Sequence, residues 1–133
     1  MGIWEELRRE EFWNWLPETG GEFFDACFDM APETIGPGER RQSHGRVGYL
    51  LSGSAVLTAE GAARDAEKGT LFGAKDSRTA LETELCARTP CTVFWMDGAI
   101  LRSVCYSACW FHARFCKEAE AYFRKMGRGS GAP

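Results

Sequence analysis

Near the start of the chain, apolar residues recur at loosely helical spacing. Ile3, Leu7, Phe12, Trp15 and Leu16 predict a helix over Ile3 to Leu16, stopped by Pro17. Thr19-Gly20-Gly21 breaks it, and Phe23, Phe24, Cys27 and Phe28 then give one apolar face to a second short helix, Glu22 to Met30, ended by Pro32. From Ile35 to Met96 the pattern changes to short apolar runs divided by glycine. Tyr49-Leu50-Leu51 enters Ser52-Gly53-Ser54 and Ala55-Val56-Leu57-Thr58 leaves it, which predicts a β-hairpin with glycine at its turn. Lys68-Gly69 precedes Thr70-Leu71-Phe72 and Gly73-Ala74 follows, spaced as if each glycine reverses an antiparallel strand. Such strands suit a jelly-roll of two facing sheets. Gly98 to Met126 has no internal glycine or proline and predicts one long helix, and the GRGSGAP run, Gly127 to Pro133, reads as a flexible tail.

The resulting division is N-terminal helices over residues 1–34, a barrel over 35–97, a C-terminal helix over 98–126 and a tail over 127–133, all within one domain. The class is mainly β with flanking helices. At 133 residues the chain can bury a core without disulfide staples. Hydrophobic residues at 44%, with nine Phe and five Trp, indicate a globular chain rather than a disordered one. A formal net charge of −3 and the lack of a basic block argue against direct nucleic-acid binding. The first turns are charged and no apolar run approaches a membrane span, so the expected location is cytoplasmic, with six reduced cysteines and no membrane partner.

Three pieces of sequence stand in a telling order: Gly36-Pro37-Gly38-Glu39, the run from Tyr49 to Leu57, and Gly69-Thr70-Leu71-Phe72-Gly73. Together with Ala87-Arg88-Thr89-Pro90-Cys91-Thr92-Val93 and a long C-terminal helix, they resemble the cyclic-nucleotide-binding-like domain of the Crp/Fnr superfamily of bacterial regulators, over roughly Phe23 to Met126. The resemblance implies a double-stranded β-helix, or jelly-roll, barrel carrying a sensory function. It also implies an effector pocket between Phe72 and Thr83. Family members hold a cyclic phosphate with an arginine fork and exposed backbone N–H groups, and the ribose with a glycine-acidic pair. Here the first pair is Gly73-Ala74, without a carboxylate, and Arg78-Thr79-Ala80 follows Gly73 by five positions, about half the family's interval. If the register is set from Ala87-Arg88-Thr89 instead, the arginine position falls on Leu81. Gly73, Ala74, Arg78 and Thr79 are therefore candidates for contact with a small anionic effector, with the nucleotide site degenerate and no cofactor required. The family's helix-turn-helix needs several dozen residues beyond the long helix, and seven follow Met126, so the expectation is a sensor domain without its DNA-binding half.

Val104, Ala108, Phe111, Phe115, Ala119, Tyr122 and Met126 follow 4-3-4-4-3-4 spacing, a near-heptad seam. The family's long helix pairs with its mate, and the expectation here is a homodimer through this seam; the alternative is that the helix folds back over its own sheet. Beside the seam lie Cys105, Cys109, His112 and Cys116, thiolate and imidazole groups of the kind that ligate zinc or iron. Eleven helical residues rise about 16 Å, so one helix cannot wrap all four around one ion. Small, often buried cysteines lining a close helix contact account for the stripe better, because no C-x-x-C pair supports a metal or redox site.

The glycine-punctuated hairpin would also fit a cupin. A cupin metal site needs three histidines and a carboxylate, and this chain has two histidines, His44 and His112. No serine or cysteine triad is evident either, so the expectation is not an enzyme. Beside the sensory domain stands a second class of function, a ligand-free dimerisation or interaction module.

Overall fold

The computed structural model describes residues 3–16, 31–76, 79–96 and 110–129. Helix α1 (Ile3–Arg8) precedes ten strands: β1 (Ala31–Ile35), β2 (Arg40–Gln42), β3 (Val47–Ser52), β4 (Ala55–Ala59), β5 (Ala62–Ala66), β6 (Leu71–Phe72), β7 (Ala74–Asp76), β8 (Thr79–Ala80), β9 (Glu84–Ala87) and β10 (Cys91–Met96). Helix α2 (Trp110–Gly129) follows them. Eight strands form two four-stranded antiparallel sheets, in the orders β1-β10-β3-β6 and β2-β9-β4-β5, while β7 and β8 pair with each other. This is the jelly-roll that the glycine punctuation predicts.

Side chains alternate across a strand, and that period explains the layers. Along β3, Val47, Tyr49 and Leu51 face the helices while Leu50 faces the second sheet. Along β10, Phe94 and Met96 face the helices while Cys91, Val93 and Trp95 point between the sheets. The first sheet is thus buried on both faces, so its central strands read as nearly unbroken apolar runs. The second sheet turns Leu57, Leu85 and Ala87 inward and leaves Val56, Glu84 and Cys86 partly open to water. Helix layer, inner sheet and outer sheet therefore enclose two cores.

Three expectations are corrected. The run around Gly53 is not a hairpin: β3 pairs with β10 and β6, and β4 pairs with β5 and β9. Gly53, at φ 92°, turns a corner from one sheet to the other, where a Cβ would collide with the Pro90 carbonyl oxygen. The tight hairpin is β4–β5, closed by Glu60 and Gly61 at φ 51° and 78°, both in the left-handed region that a two-residue hairpin turn requires. The N-terminal helix ends at Arg8 rather than Leu16. Beyond it, Glu10, Trp13 and Leu16 donate backbone N–H groups to the carbonyls three residues back, which makes a series of tight turns. At the barrel's start, the sheet begins at Ala31, four residues before Ile35, because Pro32 sits in an edge strand where it need not donate. The second predicted helix, Glu22 to Met30, lies outside the described residues, as do 98–109 of the C-terminal helix. The described part of that helix runs to Gly129, past the predicted end at Met126.

Candidate functional site

The segment proposed to contact an effector begins where β6 ends. Gly73, at φ 87°, lies so close to the Arg46 carbonyl that a Cβ would clash with it. Beyond it the chain folds on itself: Ala74 pairs with Ala80 and Asp76 with Thr79, and the Leu81 N–H donates to the Gly73 carbonyl at 2.9 Å. Gly73, Ala74 and Thr79 are thereby brought together, while Arg78 lies outside the described residues. Ala74 faces the helix-side core, and Lys75 and Thr79 are exposed. Next in the chain, Glu82 accepts the N–H groups of His44 at 3.0 Å and Gly45 at 3.1 Å. These backbone donors, His44 first, hold its carboxyl below the usual carboxylate range. Both Glu82 carboxylate oxygens thus tie down the 43–45 turn.

Between the sheets the space next to this hairpin is filled. Phe72 and Trp95 meet edge to face at 5.4 Å, and Phe72 lies against Gly48, where any Cβ would overlap its ring. The Arg46 guanidinium stacks 4.2 Å above Trp95 while Nε donates to the Ser43 carbonyl and Nη2 to the Gln42 carbonyl. Trp95 Nε1 donates to Glu33 Oε1 at 2.9 Å, and Arg41 Nε donates to Glu33 Oε2 at 2.8 Å. The Arg41 hydrogen bond holds the Glu33 carboxyl below its usual range. Arg46, Trp95, Glu33 and Arg41 thus form one connected polar chain.

Among the described residues an open groove lies on the helix side. A groove of about 540 Å³ runs between the turns after α1, the β5–β6 turn and α2. Tyr49, only 1% exposed, donates its hydroxyl to Glu10 Oε1 at 3.0 Å, and Lys68 Nζ stands 3.3 Å from Glu10 Oε2. Burial, then the Glu10 carboxylate, holds the Tyr49 phenol well above the usual tyrosine range. Tyr122 on α2 accepts the Leu71 N–H at 3.0 Å, covering the outer edge of β6, and burial raises its phenol too. Phe12 stands 6.0 Å from Tyr49 and 5.8 Å from Tyr122, ring centre to ring centre. None of these groove residues except Tyr122 stood out in the sequence as a site candidate; the available signal was one carboxylate, Glu10, amid a helical apolar pattern.

The C-terminal seam is in large part turned inward. Phe115 and Ala119 are fully buried in the chain's own core, Phe115 stacking 5.6 Å from Trp13. Together with the Tyr122 contact, these positions follow the alternative of a helix folded over its own sheet. Phe111 and Met126 lie in α2, but their side chains are outside the description, and Val104 and Ala108 precede the described helix. Of the cysteine and histidine stripe, Cys105 and Cys109 are outside the described residues, as is the side chain of His112, and Cys116 is half-buried. Among the described residues no three His, Cys, Asp or Glu side chains gather as a metal site, and no helix is long and apolar enough to cross a membrane.

No family model matches the sequence, and no protein of curated description matches it. Solved structures do. The chain is similar to a candidate cyclic nucleotide-binding protein from Geobacter metallireducens at TM-score 0.68 and 18% identity, over 95% of this chain and 98% of that one. It is similar to a candidate cyclic nucleotide binding protein from Ruegeria pomeroyi at TM-score 0.54 and 16% identity, over 95% of this chain and 58% of that one. PfPKA-R with cAMP bound aligns at TM-score 0.55 and 15% identity, over 93% of this chain and 46% of that one. The fold is that of a cyclic-nucleotide-binding domain.

Proposed function

We propose that this chain is a sensory domain of the Crp/Fnr type whose nucleotide site is degenerate and whose effector is a small organic anion. The carrying observation is the closed hairpin at the cassette position. Its backbone donor at Leu81 is engaged by Gly73, its strands pair Ala74 with Ala80 and Asp76 with Thr79, and Gly73-Ala74 offers no carboxylate to a ribose. The packed interior at Phe72 and Trp95 supports the same reading, because a nucleotide base there would have to displace aromatic rings. We place the domain in the cytoplasm and assign it a binding role rather than catalysis.

Thermal unfolding of the reduced protein against cyclic AMP, cyclic GMP and a panel of small organic anions tests this. A ligand that binds only the folded state raises the melting temperature saturably. The expected result is no shift with either nucleotide and a saturable rise with at least one organic anion. A saturable rise with a nucleotide, abolished by Arg78→Ala, would overturn the degenerate site. No response to any ligand would overturn the sensory role in favour of a ligand-free interaction module.

A further inference from the structure

We propose that the helix-side groove is the effector site and that it takes a planar aromatic carboxylate. The inference rests on the sensory reading above and gives it a place and a ligand class, at a site that shares no residue with the Gly73–Ala80 hairpin.

The groove's size and walls favour a small molecule. Its volume of about 540 Å³ falls within the range of roughly 300–1,000 Å³ usual for such sites. Phe12, Tyr49 and Tyr122 line it, and Phe12 and Tyr122 are only partly buried, so each leaves ring surface towards the opening. Phe12 tilts 31° from Tyr49 and stands edge-on, at 84°, to Tyr122. An aromatic ligand can add a further ring to such a corner in stacked or edge-to-face contact.

The rim decides the ligand's charge. Arg9, Lys68 and Lys125 contribute cations, and Glu10, Glu11 and Glu118 contribute carboxylates. These do not cancel. Glu10 has one oxygen on the Tyr49 hydroxyl and the other on Lys68, and Glu118 accepts from Arg114 at 2.7 Å. Glu11 is the carboxylate left over, whereas among the described residues neither Arg9 nor Lys125 has an acidic partner. Lys68, with its side chain 63% exposed, can also reach outward. Two unmatched cations against one carboxylate favour an anion, and a guanidinium fork matches a carboxylate with two parallel hydrogen bonds. Because the walls come from the N-terminal turns, the β5–β6 turn and α2, an occupant would tie three separate elements together. That is a physical route from ligand to altered helix docking.

The test titrates the full-length protein with 2-naphthoate by calorimetry, with neutral 2-naphthalenemethanol as the uncharged comparison. Arg9 and Lys125 are exposed and, among the described residues, have no acidic partner, so the charge-reversed double variant Arg9→Glu/Lys125→Glu keeps the fold, checked by circular dichroism. The expected result is saturable binding of 2-naphthoate, weakened at least about tenfold both in this variant and for the neutral alcohol, since charge-assisted hydrogen bonds are lost in each case. Arg78→Ala leaves it unchanged. Binding lost in Arg78→Ala but kept in the rim variant overturns the groove while leaving the sensory reading intact. Equal affinity for the alcohol overturns the assigned ligand class. An absence of 2-naphthoate binding overturns the inference, and the nucleotide and anion titrations above then decide the sensory reading separately.

Discussion

Tyr49 joins three parts of the molecule through one side chain. Its ring fills the helix-side core, and its hydroxyl reaches a carboxylate that is itself only 8% exposed. Removing the hydroxyl leaves Glu10 buried with Lys68 as its remaining partner, and an under-satisfied buried acceptor costs about 1–3 kcal/mol. Tyr49→Phe should lose stability by that amount in urea unfolding, with an unchanged denaturant slope; a neutral result would show that water replaces the hydroxyl. Gly48 makes the complementary argument from space rather than hydrogen bonding. Because Phe72 occupies the place of a Cβ, Gly48→Ala overpacks the inter-sheet core, a change that costs roughly 1–3 kcal/mol. The loss should shrink when Phe72→Leu is made alongside it, and purely additive losses in the double variant would refute the clash. Neither effect is legible from sequence, where Gly48 looks like one more strand-weakening glycine and Tyr49 like one more apolar strand position.

At the scale of elements, α2 shows how one pattern can serve two purposes. A near-heptad stripe describes any helix with a narrow apolar face, whether its neighbour is a second helix or a sheet. Here Phe115 and Ala119 pack on Trp13 and the inner sheet, and the opposite side presents Lys117, Glu120 and Arg124 to water. The Arg114–Glu118 and Arg124–Glu120 pairs are exposed and contribute at most about 0.5 kcal/mol each. Phe115→Ala should therefore cost about 3–5 kcal/mol, and Arg124→Ala within about 0.5 kcal/mol. Equal effects in thermal or urea unfolding would place the helix's stability on its surface instead. The Gly53 corner teaches a similar lesson. Two apolar runs around a glycine mark a reversal of the chain, but pairing depends on which other strands compete for each edge, and β10 and β9 win those edges.

For the molecule as a whole, hydrogen-bonded carboxylates and buried phenols set a pH window. Glu33 and Glu82 have carboxyls held below the usual range, so they stabilise the fold above the ordinary carboxylate pKa, and that contribution disappears as pH falls through their lower folded values. Tyr49 and Tyr122 are raised, so their contribution is complete below the ordinary tyrosine pKa of about 10 and is lost as pH rises past it toward their folded values. Melting temperature should hold a plateau at neutral pH and fall on both sides. Glu33→Gln should flatten the acid limb and Tyr49→Phe the alkaline limb; unchanged limbs in these variants would assign the pH dependence to other groups.

The sequence alone determined the mainly β class, the jelly-roll, a helix near either end and the missing acidic residue at Gly73-Ala74, because glycine spacing, apolar periodicity and residue identity are local properties that folding does not alter. It also carried the Glu60-Gly61 hairpin signal, which the more apolar run around Gly53 overshadowed. Tertiary structure decided which strands pair, which side of α2 is buried, and where open space remains. Those depend on competition among distant segments for the same edges and faces. The groove is the clearest case: Arg9, Tyr49, Lys68 and Tyr122 are spread along the chain, and only the docking of α2 and the N-terminal turns against one sheet brings them to a common wall.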